Sequence, residues 1–428
     1  MKFLYADSID TVDPDFDFVA ERSKPARKIY WDDQFPHEYL GCAPYDGILV
    51  SMGIVGDHKF PGKYTQAQSM RFRRVGARKF LRIDQKTFEH LDIYGDCGAF
   101  NYSGLSEPPY KPSEILEFYD DGGFTHGCSV DHVIFQFYKK LKGTETPKDP
   151  EEKNDVLNRY EITLSNAEIF LKESKCLKGK FNPIGVVQGW SPDSMAKAAE
   201  SLVKMGYEYL ALGGTVPLSA DSVKVALDSV SAKIKKDTKI HLLGFAKIDR
   251  MKEFQKYNIF SIDTTSPLLR AFKDSKHNLF MPGKNNDLIY YSAIRIPQST
   301  ENRALMRLIK NNLFSYEEVH NKEINAINSL RKFDRGETNL EDTLDNLIAY
   351  SKIFLTDFNY PDKDNSEILQ NLLSDYKILL QKSPWKKCNC QVCKKCGIEM
   401  AIFRGSNRNK RRGMHNLYVF NNQLKKIF

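Results

Sequence analysis

The chain has 428 residues, of which 41% are hydrophobic and 28% are charged. This composition is ordinary for a soluble protein, and the length allows a large buried core in one to three domains. No apolar run approaches the roughly 20 residues that cross a bilayer, and the N-terminal stretch meets acidic residues too early for a signal peptide. The four cysteines outside the C-terminal segment are scattered, so we expect a reducing, cytoplasmic setting and no membrane association.

The net charge of +8 is concentrated at the C-terminal end of the chain. Residues 384–428 contain eleven Lys and Arg and one acid, whereas the rest of the chain contains 52 basic and 54 acidic residues. Clustered basic residues attract polyanions, and nucleic-acid phosphates are the usual partners. Aromatic residues accompany the charge, which favours nucleic-acid binding by this segment. The side chains predicted to bind are Arg404, Arg408, Lys410, Arg411 and Arg412.

Short apolar runs alternate with amphipathic stretches through the first 297 residues. The runs are 47–52, 80–83, 93–96, 130–135, 184–188, 209–212, 240–243 and 259–263. Strands that alternate with helices predict a parallel sheet covered by helices. Eight such units favour an α/β fold of the TIM type, a (β/α)8 barrel, over an open sheet. We therefore expect a barrel domain over 1–297 that includes an N-terminal extension.

The pattern changes after the barrel. Between about residues 300 and 380, leucine and isoleucine recur at helical spacing, which predicts a helical insertion over 298–383. The basic segment 384–428 is expected to form a third subdomain, and the four cysteines it contains indicate that this subdomain binds zinc.

Four cysteines lie within nine positions of the basic segment, in the string CNCQVCKKC, and His415 follows them. Thiolates and imidazole are the ligands of tetrahedral zinc. Two sets of four zinc ligands are possible, because Cys388, Cys390 and Cys393 can be joined by either His415 or Cys396 as the fourth ligand. A site closed by four protein ligands has no position for water, so the zinc is predicted to be structural.

Polar residues stand at the ends of several predicted strands, where the reactive groups of a barrel gather. Carboxylates there can act as nucleophiles or carry protons, and an amide can read a base. Each of these residues is weak evidence for a site when taken alone, because an aspartate at a strand end is also typical of a helix cap. The candidates are Asp96, Asp131, Gln188, Gly213, Gly214 and Asp263.

Together these segments resemble the tRNA-guanine transglycosylases, enzymes that exchange a guanine for a 7-deazaguanine. The matching strings are YGDCGAF, VVQGW, LALGGT, SIDTTSP and CNCQVC followed by MHNLYVF. The resemblance covers residues 40–295 and 385–420, and its distal histidine favours His415 over Cys396 as the fourth ligand.

Other features are similar to one branch of that family. The nucleophile position and the first cysteine are separated by 124 residues, more than is usual in the tRNA enzymes. The opening MKFLYADSIDTVDPDFDF and the string DD-x-x-x-HE at 32–38 resemble the DpdA branch, whose members put 7-deazaguanines into DNA.

The resemblance implies a role for each site residue. Asp263 would attack the sugar carbon and expel guanine, and Asp96 would be the general acid and base. Asp131 would accept hydrogen bonds from the N–H edge of the base. The rest of the base would be read by Gln188, Gly213, Gly214 and Thr215.

The function expected is exchange of guanine in DNA for a free 7-deazaguanine base, of which the 7-cyano form is the family-based choice, with accessory DNA-processing proteins as partners. Two alternatives stay open. One is the same exchange in tRNA, and the other is a non-catalytic barrel that binds nucleic acid.

Overall fold

The computed structural model describes residues 1–177, 181–245 and 247–428. The chain forms two compact units. The first comprises Met1–Ile9, Tyr45–Ser266 and Leu424–Phe428, and the second comprises Asp10–Pro44 and Pro267–Gln423.

Within the described part of the first unit, eight parallel strands close a barrel in chain order. The strands are β1 (Lys2–Ala6), β2 (Gly47–Ser51), β3 (Asp92–Asp96), β4 (His126–Cys128), β5 (Asn182–Val187), β6 (Tyr209–Leu212), β7 (Lys239–Leu242) and β8 (Ile259–Asp263). β1 pairs with both β2 and β8, which completes the closure. The predicted TIM-type barrel is confirmed.

Three of the sequence-based assignments differ from this barrel. The N-terminal residues predicted as an extension include its first strand, β1. The predicted strand 80–83 is wrong, because the helix Ala77–Phe80 ends there and Arg82 has a φ of 57°. The predicted strand 130–135 is also wrong, since β4 lies earlier and the buried backbone after it is irregular. In both cases, burial on a helix end or loop produced a strand-like apolar run.

Helices separate most of the barrel strands. The helix after β5 begins at Pro192 because the side chain of Ser191 accepts from the backbone N–H of Ser194, and it ends at Gly206 in the left-handed region. The α-helices of the first unit are Met52–Val55, Gln66–Val75, Ala77–Phe80, Pro112–Gly122, Pro150–Ser174, Pro192–Met205 and Ala220–Ser231, with short 3-10 turns at Lys86–Phe88 and Ile248–Phe254. The helix Ser266–Lys273 follows the last barrel strand and lies in the second unit except for its first residue.

The second unit is mainly helical and contains a large hydrophobic core. That core includes Leu330, Leu347 and Leu379 from the helical segment together with Cys390 and Cys393 from the basic segment. Its helices are Pro36–Leu40, Arg303–Lys310, Tyr316–Arg335, Leu340–Phe354, Ser366–Lys382, Pro384–Lys387, Gln391–Cys396 and Gly405–Ile427, with a 3-10 turn at Gly397–Ala401. Its strands are Leu279–Pro282 paired with Leu288–Tyr291, and Ile294–Arg295 paired with Ile402–Phe403. The segments predicted as insertion and zinc-binding subdomain therefore share a core.

Among the residues that the structure describes, no helix combines the length and the apolar character needed to cross a membrane.

Candidate active site and metal centre

The barrel places the predicted reactive residues at the carboxyl ends of its strands. Asp96 and Asp263 are the last residues of β3 and β8. Gln188 and Gly213 directly follow β5 and β6, and Asp131 comes three residues after β4. In this fold the carboxyl ends of all strands meet at one mouth. These side chains therefore belong to a single site.

Asp263 is nearly buried, with 6% of its surface exposed, and it is held by two donors. The backbone N–H of Gly244 donates to Oδ1 at 2.8 Å, and Nε2 of His241 lies 3.2 Å from the same oxygen. Donors directed at a carboxylate stabilise its charged form and fix its orientation. The arrangement presents an oriented carboxylate at the barrel mouth.

Asp96 has the opposite electrostatic environment. Burial raises its pKa above the ordinary value, and the negative charge of Asp263 raises it further, although the Ser51 hydroxyl and the Gly98 N–H act against this. The N–H of Gly98 donates to Oδ2 at 3.1 Å. A carboxyl group with a raised pKa can act as a proton carrier, whereas the carboxylate of Asp263, oriented by its two donors, can act as a nucleophile.

Asp131 lies in a buried polar cluster, close enough to Asp96 to be affected by its charge. Its Oδ2 accepts from Nε2 of Gln188 at 2.6 Å, and its Oδ1 accepts from the thiol of Cys97 at 3.2 Å. Burial raises the pKa of Asp131 to about 7, and the charge of Asp96 adds to the rise. The carboxyl group thus changes charge near neutral pH.

The two glycines after β6 leave room for these side chains. A Cβ on Gly213 would lie 2.2 Å from Nε2 of Gln188, and one on Gly214, whose φ is +65°, would lie 2.7 Å from the carbonyl oxygen of Ile134. The hydroxyl of Thr215 donates to the Leu243 carbonyl at 2.6 Å. The glycines are therefore required by close approach, and the Thr215 side chain holds the end of β7.

The second unit contains the candidate metal centre. The ligand atoms of Cys388, Cys390, Cys393 and His415 all lie within 4.8 Å of one another. Nδ1 of His415 is 3.6, 3.4 and 3.4 Å from the three sulfur atoms in turn. Zinc bonds of about 2.3 Å to sulfur and 2.0 Å to nitrogen, at tetrahedral angles, separate S and N by about 3.5 Å. The cluster could hold a metal ion, and its donors and spacing are consistent with zinc.

Neighbouring groups orient the histidine ligand. Nε2 of His415 lies 2.7 Å from the carbonyl oxygen of Phe280, so its N–H donates there and Nδ1 faces the thiols. The next residue, Asn416, accepts from the Phe280 N–H at 2.9 Å and donates to the carbonyls of Pro267 and Asn278. His415 and Asn416 together hold the backbone of Phe280, whose carbonyl group orients the imidazole ring of His415.

Cys396 is not part of the cluster. Its sulfur lies 3.3 Å from the Tyr39 hydroxyl, and the residue is buried. Of the two ligand sets that the sequence left open, the structure brings together the one with His415.

The prediction that the basic residues after the cysteines face nucleic acid is wrong for the four arginines, which are at most 6% exposed. Arg404 pairs with Glu323 at 2.6 Å, and Arg408 pairs with Glu399 and Glu21 at 2.7 Å each. Guanidinium groups buried in this way are held by internal partners and present no surface to phosphates.

The other three basic residues are also engaged within the second unit. Arg411 donates to the Tyr39 hydroxyl at 3.1 Å, and Arg412 donates to the carbonyls of Met400 and Ile402 at 3.2 and 3.0 Å. Lys410 is partly exposed, and its ammonium donates to the Thr11 carbonyl at 3.2 Å. The charge that indicated a binding surface instead stabilises the fold around the metal centre.

Two residues of the active site were missed from the sequence. His241 lies on β7 and Ser261 on β8, and both are fully buried. A histidine inside a short apolar run, as the second-to-last residue of β7, is the signal that could have identified the first.

No family model matches the chain. It is 36% identical over 425 residues to a DNA-guanine transglycosylase of Salmonella montevideo, and the alignment covers 99% of this chain and 96% of that protein. The cysteine cluster, the strand-end carboxylates and this near full-length similarity agree with one another. The chain belongs to the guanine transglycosylase family of pentosyltransferases, in its DpdA-type branch.

Proposed function

We propose that this protein exchanges guanine in DNA for a free 7-deazaguanine base, with the 7-cyano form as the substrate. The observation that carries the proposal is the pair of carboxyl groups at the barrel mouth, an oriented Asp263 and an Asp96 with a raised pKa. The Salmonella montevideo relative, named a DNA-guanine transglycosylase, supports DNA as the nucleic acid.

In the first half-reaction, a carboxylate oxygen of Asp263 forms a bond to C1′ of the deoxyribose. The bond from C1′ to N9 of guanine breaks, and its electron pair leaves with the base. Asp96 in its protonated form, which its raised pKa favours, gives a proton to the departing guanine. The product is a glycosyl ester on the enzyme, and the difficult substitution is divided into two steps.

In the second half-reaction the free base takes the place of guanine. Asp96, now a carboxylate, accepts the N9 proton of the incoming base, and N9 attacks C1′ while Asp263 leaves. The reaction forms as many glycosidic bonds as it breaks, so it needs no external energy source.

Base recognition is assigned to the cluster around Asp131. Its carboxylate would accept two N–H groups of the guanine-like edge in charge-assisted hydrogen bonds, which discriminate strongly between bases. In the free protein those positions are filled by Gln188 and Cys97, so both side chains would exchange partners when a base binds. A base within a duplex cannot reach this pocket and would be flipped out or already single-stranded.

We further propose that Cys388, Cys390, Cys393 and His415 bind zinc. With four protein ligands the ion would be structural. Its contribution would be to fold the segment around the cluster, whose cysteines already lie in the hydrophobic core of the second unit.

The chemistry is tested by trapping the covalent intermediate. Wild-type protein incubated with DNA should give a denaturation-resistant protein–DNA adduct, and Asp263→Ala should give none. Asp221→Ala, which removes an exposed carboxylate of the same unit, is the matched control and should form the adduct normally. An adduct that persists in Asp263→Ala would refute the assignment, and a wild-type protein without adduct would favour a binding barrel.

The nucleic-acid substrate is tested separately by base exchange on matched DNA and tRNA. Incorporation of labelled guanine into DNA is expected. Exchange into tRNA alone would reject DNA as the substrate and favour the tRNA alternative.

A further inference from the structure

The interior of the barrel contains a chain of polar side chains that ends at Asp263. Inward positions of such barrels are usually branched aliphatic residues, and several are here, yet the chain runs through Tyr94, Tyr209, Ser261 and His241. All four are at most 5% exposed. The hydroxyls of Tyr94 and Tyr209 are 3.2 Å apart, and Tyr209 and Ser261 are 2.5 Å apart. Nδ1 of His241 lies 2.5 Å from Ser261 Oγ, and Nε2 lies 3.2 Å from Asp263 Oδ1.

The end of the chain fixes the direction of every proton in it. Asp263 as a carboxylate can only accept, so the proton of this hydrogen bond lies on Nε2 of His241, and in the tautomer that carries its single proton there Nδ1 is an acceptor. Ser261 must then donate to Nδ1, and Tyr209 must donate to Ser261. The Tyr209 oxygen in turn accepts a hydrogen bond from the Tyr94 hydroxyl. Buried polar groups are tolerated when each is satisfied in this way.

We propose that His241 is a positioning residue that stabilises Asp263 when it leaves as a carboxylate in the second half-reaction. This inference rests on the proposed function, because it requires the glycosyl ester. In the ester, Oδ1 is a neutral carbonyl oxygen and a weak acceptor. When N9 attacks C1′ and the ester bond breaks, the electron pair returns to the carboxylate, and a preorganised N–H at Oδ1 gains strength as the charge appears.

The chain behind His241 supplies that preorganisation. The hydrogen bond from Ser261 to Nδ1 holds the ring in its orientation, and Oδ1 of Asp263, which is an acceptor in both the carboxylate and the ester, keeps the proton on Nε2. The Gly244 N–H is a second donor to the same oxygen at 2.8 Å, so both donors act on Oδ1 and we assign Oδ2 as the atom that bonds to C1′. Removal of His241 would leave one donor of the two.

The substitution that tests this is His241→Asn, whose amide can still reach Ser261 but not Asp263. Loss of one preorganised donor slows a reaction by about 100-fold or more. We expect release of the trapped adduct by 7-cyano-7-deazaguanine to slow by about 100-fold. The fraction of enzyme trapped at steady state should rise, whereas affinity for the free base should stay at the wild-type value. His241→Gln, which can place an N–H near the position of Nε2, should recover most of the release rate.

His126→Asn is the matched control. His126 is a partly buried histidine of the barrel, stacked on Tyr94 at 4.1 Å between ring centroids, and it has no hydrogen bond to Ser261 or Asp263 among those of the described residues. It should leave adduct release unchanged. Ser261→Ala keeps His241 but frees its ring, and it should slow release in the same direction by a smaller factor; it also serves if His241→Asn does not fold.

The outcomes separate this inference from the proposed function. A wild-type protein that forms no adduct rejects the proposed function. A wild-type protein that forms the adduct, with His241→Asn and Ser261→Ala releasing it at the wild-type rate, rejects the role of His241 alone. Parallel loss of adduct, base affinity and melting temperature would assign the chain to structural support and overturn the inference.

Discussion

Arg408 is predicted to stabilise the second unit and to make no contribution to DNA affinity. It is 1% exposed, and its guanidinium donates to the carboxylates of Glu399 and Glu21 and to the carbonyl of Phe18. The substitution Arg408→Ala removes this group and leaves two partly buried carboxylates without their main partner. The effect should therefore appear in folding.

The size of the stability loss depends on the ion pairs that Glu399 and Glu21 keep when Arg408 is removed. Breaking a buried ion pair by deleting one partner costs about 3–5 kcal/mol. Glu399 keeps Arg331 at 2.7 Å, and Glu21 keeps Arg404 at 3.3 Å. We therefore expect a loss near the low end, about 3 kcal/mol in the free energy of unfolding.

The assay combines chemical unfolding with DNA binding of the folded protein. The control is Arg335→Ala in the same unit, whose ion pair with Glu337 is exposed to solvent and should therefore contribute little to stability. DNA affinity per folded molecule should be unchanged in Arg408→Ala. A variant of wild-type stability with weakened, less salt-dependent DNA binding would refute this reasoning and restore Arg408 to a binding surface.

Three further predictions concern the metal centre and the base pocket. His415→Ala should lose zinc on dialysis more readily than Cys396→Ala, as measured by metal content, because only His415 lies in the cluster; equal loss would contradict the three-cysteine, one-histidine ligand set. Gly213→Ala should weaken binding of the free base in calorimetry, because its Cβ would displace the amide of Gln188; unchanged affinity would remove Gln188 from recognition. Affinity for the free base should be constant above about pH 7 and should fall by about tenfold per pH unit below it, because the raised pKa of Asp131 makes its protonated, non-accepting form dominant there. Asp131→Asn should bind the base weakly and without this pH dependence. A pH profile that is the same in Asp131→Asn as in the wild type would reject the role of Asp131.

The barrel and most residues at its mouth could be predicted from the sequence, because a parallel barrel brings the carboxyl ends of all its strands together at one end. Asp96, Gln188 and Asp263 could be found without any knowledge of packing, since each follows a short apolar run. β1 could not, because a five-residue strand followed at once by acidic residues is indistinguishable from an extended terminus. The run at 80–83 shows the converse, since a buried helix end and a buried strand have the same apolar composition.

The polar chain inside the barrel lay beyond the same reasoning. Hydrophobic periodicity shows only which positions face the interior of the barrel. In the sequence, Tyr94 and Tyr209 therefore predict large buried side chains, and Ser261 gives no sign of a hydrogen-bonded chain. Their hydrogen bonds depend on the register of β3, β6, β7 and β8, and that register includes an irregularity between Ile240 and His241. Register is a property of the closed barrel, and no single segment encodes it.

The charged segment differs from these cases, because the sequence did contain the information that would have corrected it. In the helix Gly405–Ile427, residues three, four and seven positions before His415 lie on the same face as the ligand. Those residues are Arg412, Arg411 and Arg408. If His415 points inward to bind a metal ion, these three arginines must point inward as well, and they require carboxylates or carbonyls as partners. A metal-ligand prediction on a helix therefore constrains the orientation of its neighbours, and it outweighs a count of charge, which contains no information about which side of the helix is exposed.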